Sequence, residues 1–119
     1  MKTSPIPGFE PQLPHQRLIV YQRCVQLLLA VRAANIRDTK LRDEATRAIK
    51  GACLNIAEAA SRKSRADAAR TFAIARGEAI EACAAVEIAA LSGDTSAEHH
   101  HACTALGREV YAMLTTLSR

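Results

Sequence analysis

Beyond Pro14 the chain has no proline, and its apolar residues recur at intervals of three and four, the period of an α-helix. Leu18, Tyr21, Val25, Leu28 and Arg32 follow that spacing, with Val20, Cys24, Leu27 and Val31 alongside. They predict a first helix from His15 to Asn35, followed by a short turn over Ile36 to Thr39 with Asp38 or Thr39 as N-cap. A second helix is predicted from Lys40 to Ala60, with Leu41, Ala45, Ala48, Ala52 and Ile56 as its inner stripe and Ile49 and Cys53 beside it. Gly51 inside that helix costs about 1 kcal/mol relative to alanine. Such a cost is offset where a neighbouring helix comes close.

Ser61 to Arg65 reads as a basic link, and Ser64 with Asp67 has the spacing of a capping box that opens a third helix reaching Leu91. That helix has no polar face: alanines, Phe72, Ile74, Ile80, Cys83, Val86 and Ile88 surround it. A helix apolar on nearly every side is expected to be buried on nearly every side. One small bundle cannot cover all of it, so the remainder is expected against another subunit. Thr95 with Glu98 forms a second capping-box pattern, before a fourth helix from Ser96 to Leu117 with a stripe of Ala102, Leu106, Val110, Met113 and Leu117. Four helices with short connections predict an all-α, antiparallel up-down-up-down bundle spanning residues 15–119. Residues 1–14 carry all four prolines and read as an extended arm.

Composition sharpens this picture. About a fifth of the 119 residues are alanine, aromatic residues make up 3%, and there is no tryptophan. A ring-poor, alanine-rich chain favours closely packed helices and argues against a β-sandwich or an aromatic-lined pocket. No apolar run reaches the roughly 20 residues that span a bilayer, and no apolar stretch of the secretory kind follows Lys2, so a cytoplasmic setting is expected.

The net charge of +4 is unevenly placed. Arg62, Lys63, Arg65, Arg70 and Arg76 face only Asp67 between residues 61 and 76, whereas acids dominate from Gly77 onward. Arg47 and Lys50 add to the basic part. Such a patch can neutralise phosphates of RNA or DNA, pair with an acidic surface of an identical subunit, or simply be solvated. With no aromatic residues interleaved, stacking on single-stranded bases is not supported.

Little else suggests chemistry. His99, His100 and His101 are consecutive, so their side chains diverge by about 100° and cannot all face one ion. His99 and Cys103, four apart, form at most half of a zinc site, against the plainer reading of a polar first turn. Cys24, Cys53, Cys83 and Cys103 fall one per helix with no CxxC, which reads as four small buried thiols rather than a disulfide framework. The helical carboxylates Glu58, Glu78, Glu81 and Glu87 lack the Glu-x-x-His partners of a di-metal bundle, and Glu58 and Glu81 are the ones expected to be partly buried. No nucleophile elbow, phosphate-binding glycine loop or catalytic triad pattern is present. The expectation is no enzyme, no metal and no cofactor.

The stretch Leu54-Asn55-Ile56-Ala57-Glu58, then Arg62, Ser64, Arg70 and Phe72, then Ile74-Ala75-Arg76-Gly77 and Glu81, resembles the four-helix-bundle family named for proteins encoded by intervening sequences in bacterial 23S rRNA genes. The likeness extends upstream through Ala45-Thr46-Arg47-Ala48 and downstream into the fourth helix. The chain departs from the family pattern at Cys53, where proline is usual, at Ala59, where glycine is usual, and at Ala68, where an aromatic is common. The first two changes should make the end of the second helix more regular. The resemblance implies a homopentameric ring of four-helix bundles, implies no established catalytic activity, and marks Asn55, Glu58, Gly77 and Glu81 as motif residues. A related branch, the accessory variability determinants of diversity-generating retroelements, is a more basic pentamer that works with a reverse transcriptase and nucleic acid, and serves only as an analogy.

Taken together, these features lead to the expectation of an oligomeric helical scaffold binding nucleic acid or a nucleic-acid-processing protein. Arg47, Lys50, Arg62, Lys63, Arg65 and Arg70 are its candidate phosphate contacts. The rival expectation is a small metal- or ligand-binding bundle using the histidines of the fourth helix.

Overall fold

A computed structural model describes residues 13–119. The predicted arm therefore lies outside the described residues except for Leu13 and Pro14. Four α-helices follow: α1 (Ile19–Ala33), α2 (Thr39–Ala60), α3 (Arg65–Leu91) and α4 (Ala97–Leu117). Each packs on its sequence neighbours, and α4 closes back on α1, so the four form an antiparallel bundle. The 27 residues of α3 span about 40 Å at 1.5 Å per residue and set the long dimension of 44 Å.

The first helix is shorter than its periodicity predicts. Pro14–Arg17 form a separate 3-10 turn, and Leu18 is extended (φ −75°, ψ 129°) before α1 begins. The reason is Gln22, a buried polar residue whose Nε2 donates to the Gln16 carbonyl 2.9 Å away and holds that turn against the helix. At the other end α1 stops at Ala33, because Asn35 takes a left-handed conformation (φ 43°) that asparagine tolerates better than most residues. The buried stripe is Val20, Cys24, Leu27 and Val31, not the Leu18–Tyr21–Val25–Leu28 row, which is only half-buried.

The helix starts follow cap chemistry. Asp38 accepts from the N–H groups of Lys40 and Leu41 to start α2, and Ser64 accepts from the Asp67 N–H to start α3. For α4 the cap is Ser96, which accepts from the His99 N–H. Thr95, predicted for that role, instead donates its hydroxyl to the Ala34 carbonyl at 2.7 Å. That bond joins the α1–α2 and α3–α4 turns at one end of the bundle, helped by Arg37, which bonds Gly93 and Asp94. Gly93 sits at φ 77°, where a side chain would be strained. The basic α2–α3 link consequently lies at the opposite end.

The core is largely alanine. Ala45, Ala48, Ala52 and Ala59 of α2 and Ala75, Ala79, Ala82 and Ala89 of α3 are all buried, which permits the most extensive helix pair of the bundle. Leu27, Ile49, Ile56, Val86, Val110 and Leu114 supply the volume between the layers. On α4 the buried positions are Cys103, Val110 and Leu114; of the predicted stripe only Val110 is fully buried, while Ala102 and Leu117 are exposed and Leu106 and Met113 half-buried. Gly107 brings α4 onto α3, since a Cβ there would lie 2.6 Å from the Cys83 Sγ.

The apolar girth of α3 exceeds what α2 and α4 cover. Ile74, Ile80 and Ile88 remain 46–49% exposed and Leu91 is 83% exposed. By helical spacing they share the outer side with Ala66, Ala73, Gly77 and Ala84, bordered by Arg70, Glu81 and Glu87.

Candidate nucleic-acid interface at the seam between α2 and α3

A line of residues one or two turns apart on α2 (Glu44, Gly51, Asn55, Glu58), continued by Arg62 in the link just beyond it, runs along the flank toward α3. Because the two helices are antiparallel, these positions meet α3 in reverse order, and three polar clusters result. In the first, the Arg47 Nη2 bonds Glu44 and reaches the Glu81 Oε2 at 2.9 Å. In the second, the Asn55 Nδ2 donates to the Glu78 Oε1 at 2.7 Å and to the Gly51 carbonyl at 3.2 Å. In the third, Arg62 holds Glu58 at 2.6 Å and Asp67 at 3.4 Å, and Asp67 also holds Arg70 at 2.7 Å.

The glycine predicted to admit a close neighbour does so, but the neighbour is a side chain. A Cβ at Gly51 would sit 2.3 Å from the Glu78 Oε2, so the missing side chain leaves the notch that this carboxylate fills. Glu78 is half-buried, whereas Glu58 and Glu81, the carboxylates expected to be partly buried, are exposed. The signal for Glu78 was Gly51 itself, with an amide donor one turn further along the same face.

Electrostatics follow from these contacts. The Arg70 guanidinium, and beyond it Arg62, holds the Asp67 carboxyl below the ordinary carboxylate range. Glu44 and Glu81 are close enough to share a hydrogen bond, and the pair splits: Glu44 is lowered by that bond and by Arg47. Glu81 is raised by the same bond, with desolvation adding to it and Arg47 opposing. A raised Glu81 favours folding at low pH and loses that contribution as pH rises through its folded pKa; a lowered Glu44 does the reverse. Replacing Glu44 with glutamine removes the carboxylate that repels the Glu81 charge. Carboxyl carbon NMR should then show Glu81 titrating at lower pH, toward the pull of Arg47.

The six candidate phosphate contacts do not form one patch. Arg62, Lys63, Arg65 and Arg70 lie at the α2–α3 end, whereas Arg47 and Lys50 are 12 to 15 residues earlier on α2, about 20 Å along the axis. Arg47, Arg62 and Arg70 are engaged by carboxylates of the seam, while Lys50, Lys63 and Arg65 have no such partner among the described residues. Of the motif residues, Asn55, Glu58 and Glu81 belong to the seam. Gly77 does not: it lies on the outer face of α3, where a Cβ would meet nothing within 4 Å.

The histidines stand elsewhere. His99 Nδ1 is 2.9 Å from the Ser96 Oγ at the helix cap, and Cys103 is 1% exposed, so the two do not form an open half-site. Among the described residues no group of three or more His, Cys, Asp or Glu side chains converges as a ligand set. His100 and His101 instead line a groove of about 530 Å³ between α3 and α4, together with Ile80, Glu87, Arg108 and Tyr111.

The family model of the 23S rRNA-intervening sequence protein matches residues 16–116. The chain belongs to this family. No curated protein matches it in a sequence comparison. The match takes in all four helices and stops short of the arm. The chain's departures from the family pattern at Cys53 and Ala59 fall where α2 continues unbroken to Ala60, in line with the more regular helix expected there. Among the described residues, no helix is long and apolar enough to cross a membrane.

Proposed function

We propose that this member of the 23S rRNA-intervening sequence protein family is a non-enzymatic, self-associating helical scaffold. It acts in the cytoplasm and presents its α2–α3 end to the phosphates of RNA or DNA. The observation that carries the self-association is the outer face of α3. Four large aliphatic residues, each about half-exposed or more, lie along the helix face that carries Gly77, and a helical glycine that nothing touches costs about 1 kcal/mol without return in an isolated chain. Closure of identical copies around a ring would cover that face, and a homopentamer is the assembly expected of the family.

The nucleic-acid part rests on Lys63 and Arg65, the bases of the link that the seam leaves unengaged. Repeated around a ring, they would add with each subunit, and their contribution would depend on salt through counterion release. A nucleic-acid-processing protein is the other partner such an end suits.

Fluorescence anisotropy with mixed RNA and DNA at low salt tests the reading. Binding that weakens with salt is expected, and replacing Lys63 and Arg65 with serine should lower the salt slope by about one per base removed from each bound phosphate contact. Absence of binding at micromolar protein, or binding indifferent to both substitutions, overturns the nucleic-acid part. A second reading, a small-ligand site at the α3–α4 groove, is favoured only by the placement of His100 and His101 there.

A further inference from the structure

Cys24 of α1 and Cys53 of α2 are 29 residues apart in sequence, yet their sulfurs lie 3.5 Å apart in the core. Both thiols are free, with Cys24 fully buried and Cys53 7% exposed. A disulfide requires an S–S separation of about 2.0 Å, so each sulfur needs to move by less than 1 Å or so, within reach of a small change in side-chain torsion. No comparable pairing exists for the other two: Cys83 approaches the Cys103 carbonyl, not its sulfur.

We propose that Cys24 and Cys53 form an oxidisable dithiol, which a hydroperoxide converts to a disulfide joining α1 to α2. Cys53, which is 7% exposed where Cys24 is wholly enclosed, is the attacking sulfur. Once it ionises, the Cys24 S–H donates to the thiolate; this holds the Cys53 thiol below its ordinary pKa and pushes Cys24 above its own, with burial adding to the rise at Cys24. Burial alone pushes Cys83 up to about 11, and burial with the nearby Cys83 does the same for Cys103. Tyr21, Glu78 and Cys83 are the other titratable groups around the pair. Tyr21 is itself raised by burial and by the two thiols, so it stays neutral beside them.

The chemistry balances in two steps. The Cys53 thiolate attacks one oxygen of the hydroperoxide, an S–O bond forms and the O–O bond breaks. The departing oxygen takes up a proton and leaves as water or an alcohol, so the peroxide is reduced by two electrons and the sulfur becomes a sulfenic acid. The Cys24 sulfur then attacks the Cys53 sulfur, the S–O bond breaks, and water leaves with the Cys24 proton as the S–S bond forms. A thiol reductant reverses the result.

The test uses the full chain carrying Cys83→Ser and Cys103→Ser, alongside the unsubstituted protein. Treatment of folded protein with hydrogen peroxide should remove the mass of two hydrogens and block alkylation of both remaining thiols after denaturation. It should also raise the melting temperature by several degrees, reversed by dithiothreitol. With Cys24→Ala, the Cys53 sulfenic acid should persist and be trapped by a 1,3-diketone. The proposal is overturned if the folded chain keeps both thiols, if Cys53 goes to sulfinic acid with Cys24 present, or if the disulfide forms only between chains or only in denaturant. If the doubly substituted chain does not fold, peptide mapping of the oxidised unsubstituted protein decides the same question: a Cys24–Cys53 peptide supports the proposal, and any other pairing overturns it.

Discussion

Replacing Ile80 and Ile88 with glutamate is expected to dissociate the proposed assembly to the 12.8 kDa chain while leaving its helix content intact. Both side chains point outward from α3 and are about half exposed, so neither substitution opens a cavity in the bundle core. Covering the open half of each isoleucine in an interface is worth on the order of 1 kcal/mol. A carboxylate enclosed there without a partner costs several times more. Two such charges per copy, beside Glu81 and Glu87 on the same helix, are expected to weaken association by 100-fold or more, about 3 kcal/mol. Leu29→Glu, on the exposed side of α1, should leave the mass unchanged. Gly77→Ala gives the matching sign test. In an isolated chain the added methyl meets nothing and should stabilise α3 by about 1 kcal/mol, whereas against a close-packed neighbouring copy it should weaken assembly. Circular dichroism and light scattering on the same samples separate these effects.

Asn55→Ala lowers folding stability by about 1.5–3 kcal/mol, the usual worth of a hydrogen bond to a charged group. The Asn55 amide is the donor to the Glu78 carboxylate, which occupies the notch at Gly51. Glu78→Ala should cost a similar amount, and the double replacement should cost less than the two singles together, because the unpaired carboxylate is then gone. Urea unfolding of the four proteins gives the coupling energy. A coupling near zero would show that the two side chains do not act on each other. Gly51→Ala should destabilise despite better helix propensity, since its methyl displaces the same carboxylate.

The bundle was readable because apolar spacing and the absence of proline point the same way along the whole chain. Boundaries were harder where one side chain settled a backbone choice. Gln22 reaching back to Gln16 separated the 3-10 turn from α1, and Asn35 ended that helix two residues early. Stripe phase on α1 and α4 was ambiguous because alanine and cysteine adjoin larger residues on several sides, and packing against neighbouring helices, not periodicity, selected Cys24 and Cys103 for the core.

At the candidate site, the sequence shows a run of bases but not their partners. Arg62 reaches Asp67 only because α2 and α3 meet at a short link, where Asp67 already holds Arg70 one turn along α3, and Arg47 finds Glu81 only through the antiparallel register. A one-dimensional charge count therefore overstates the free positive charge. The motif residues Asn55, Glu58 and Glu81 serve the α2–α3 seam, and Gly77 stands apart on the open face.

Sedimentation equilibrium of the full chain at moderate salt tests the scaffold proposal most directly. A mass near five times 12.8 kDa, falling to a single chain with Ile80→Glu and Ile88→Glu, is the predicted result. A mass of 12.8 kDa for the unsubstituted protein across the micromolar range would contradict it, because the outer face of α3 would then stand in solvent with no second copy to cover it.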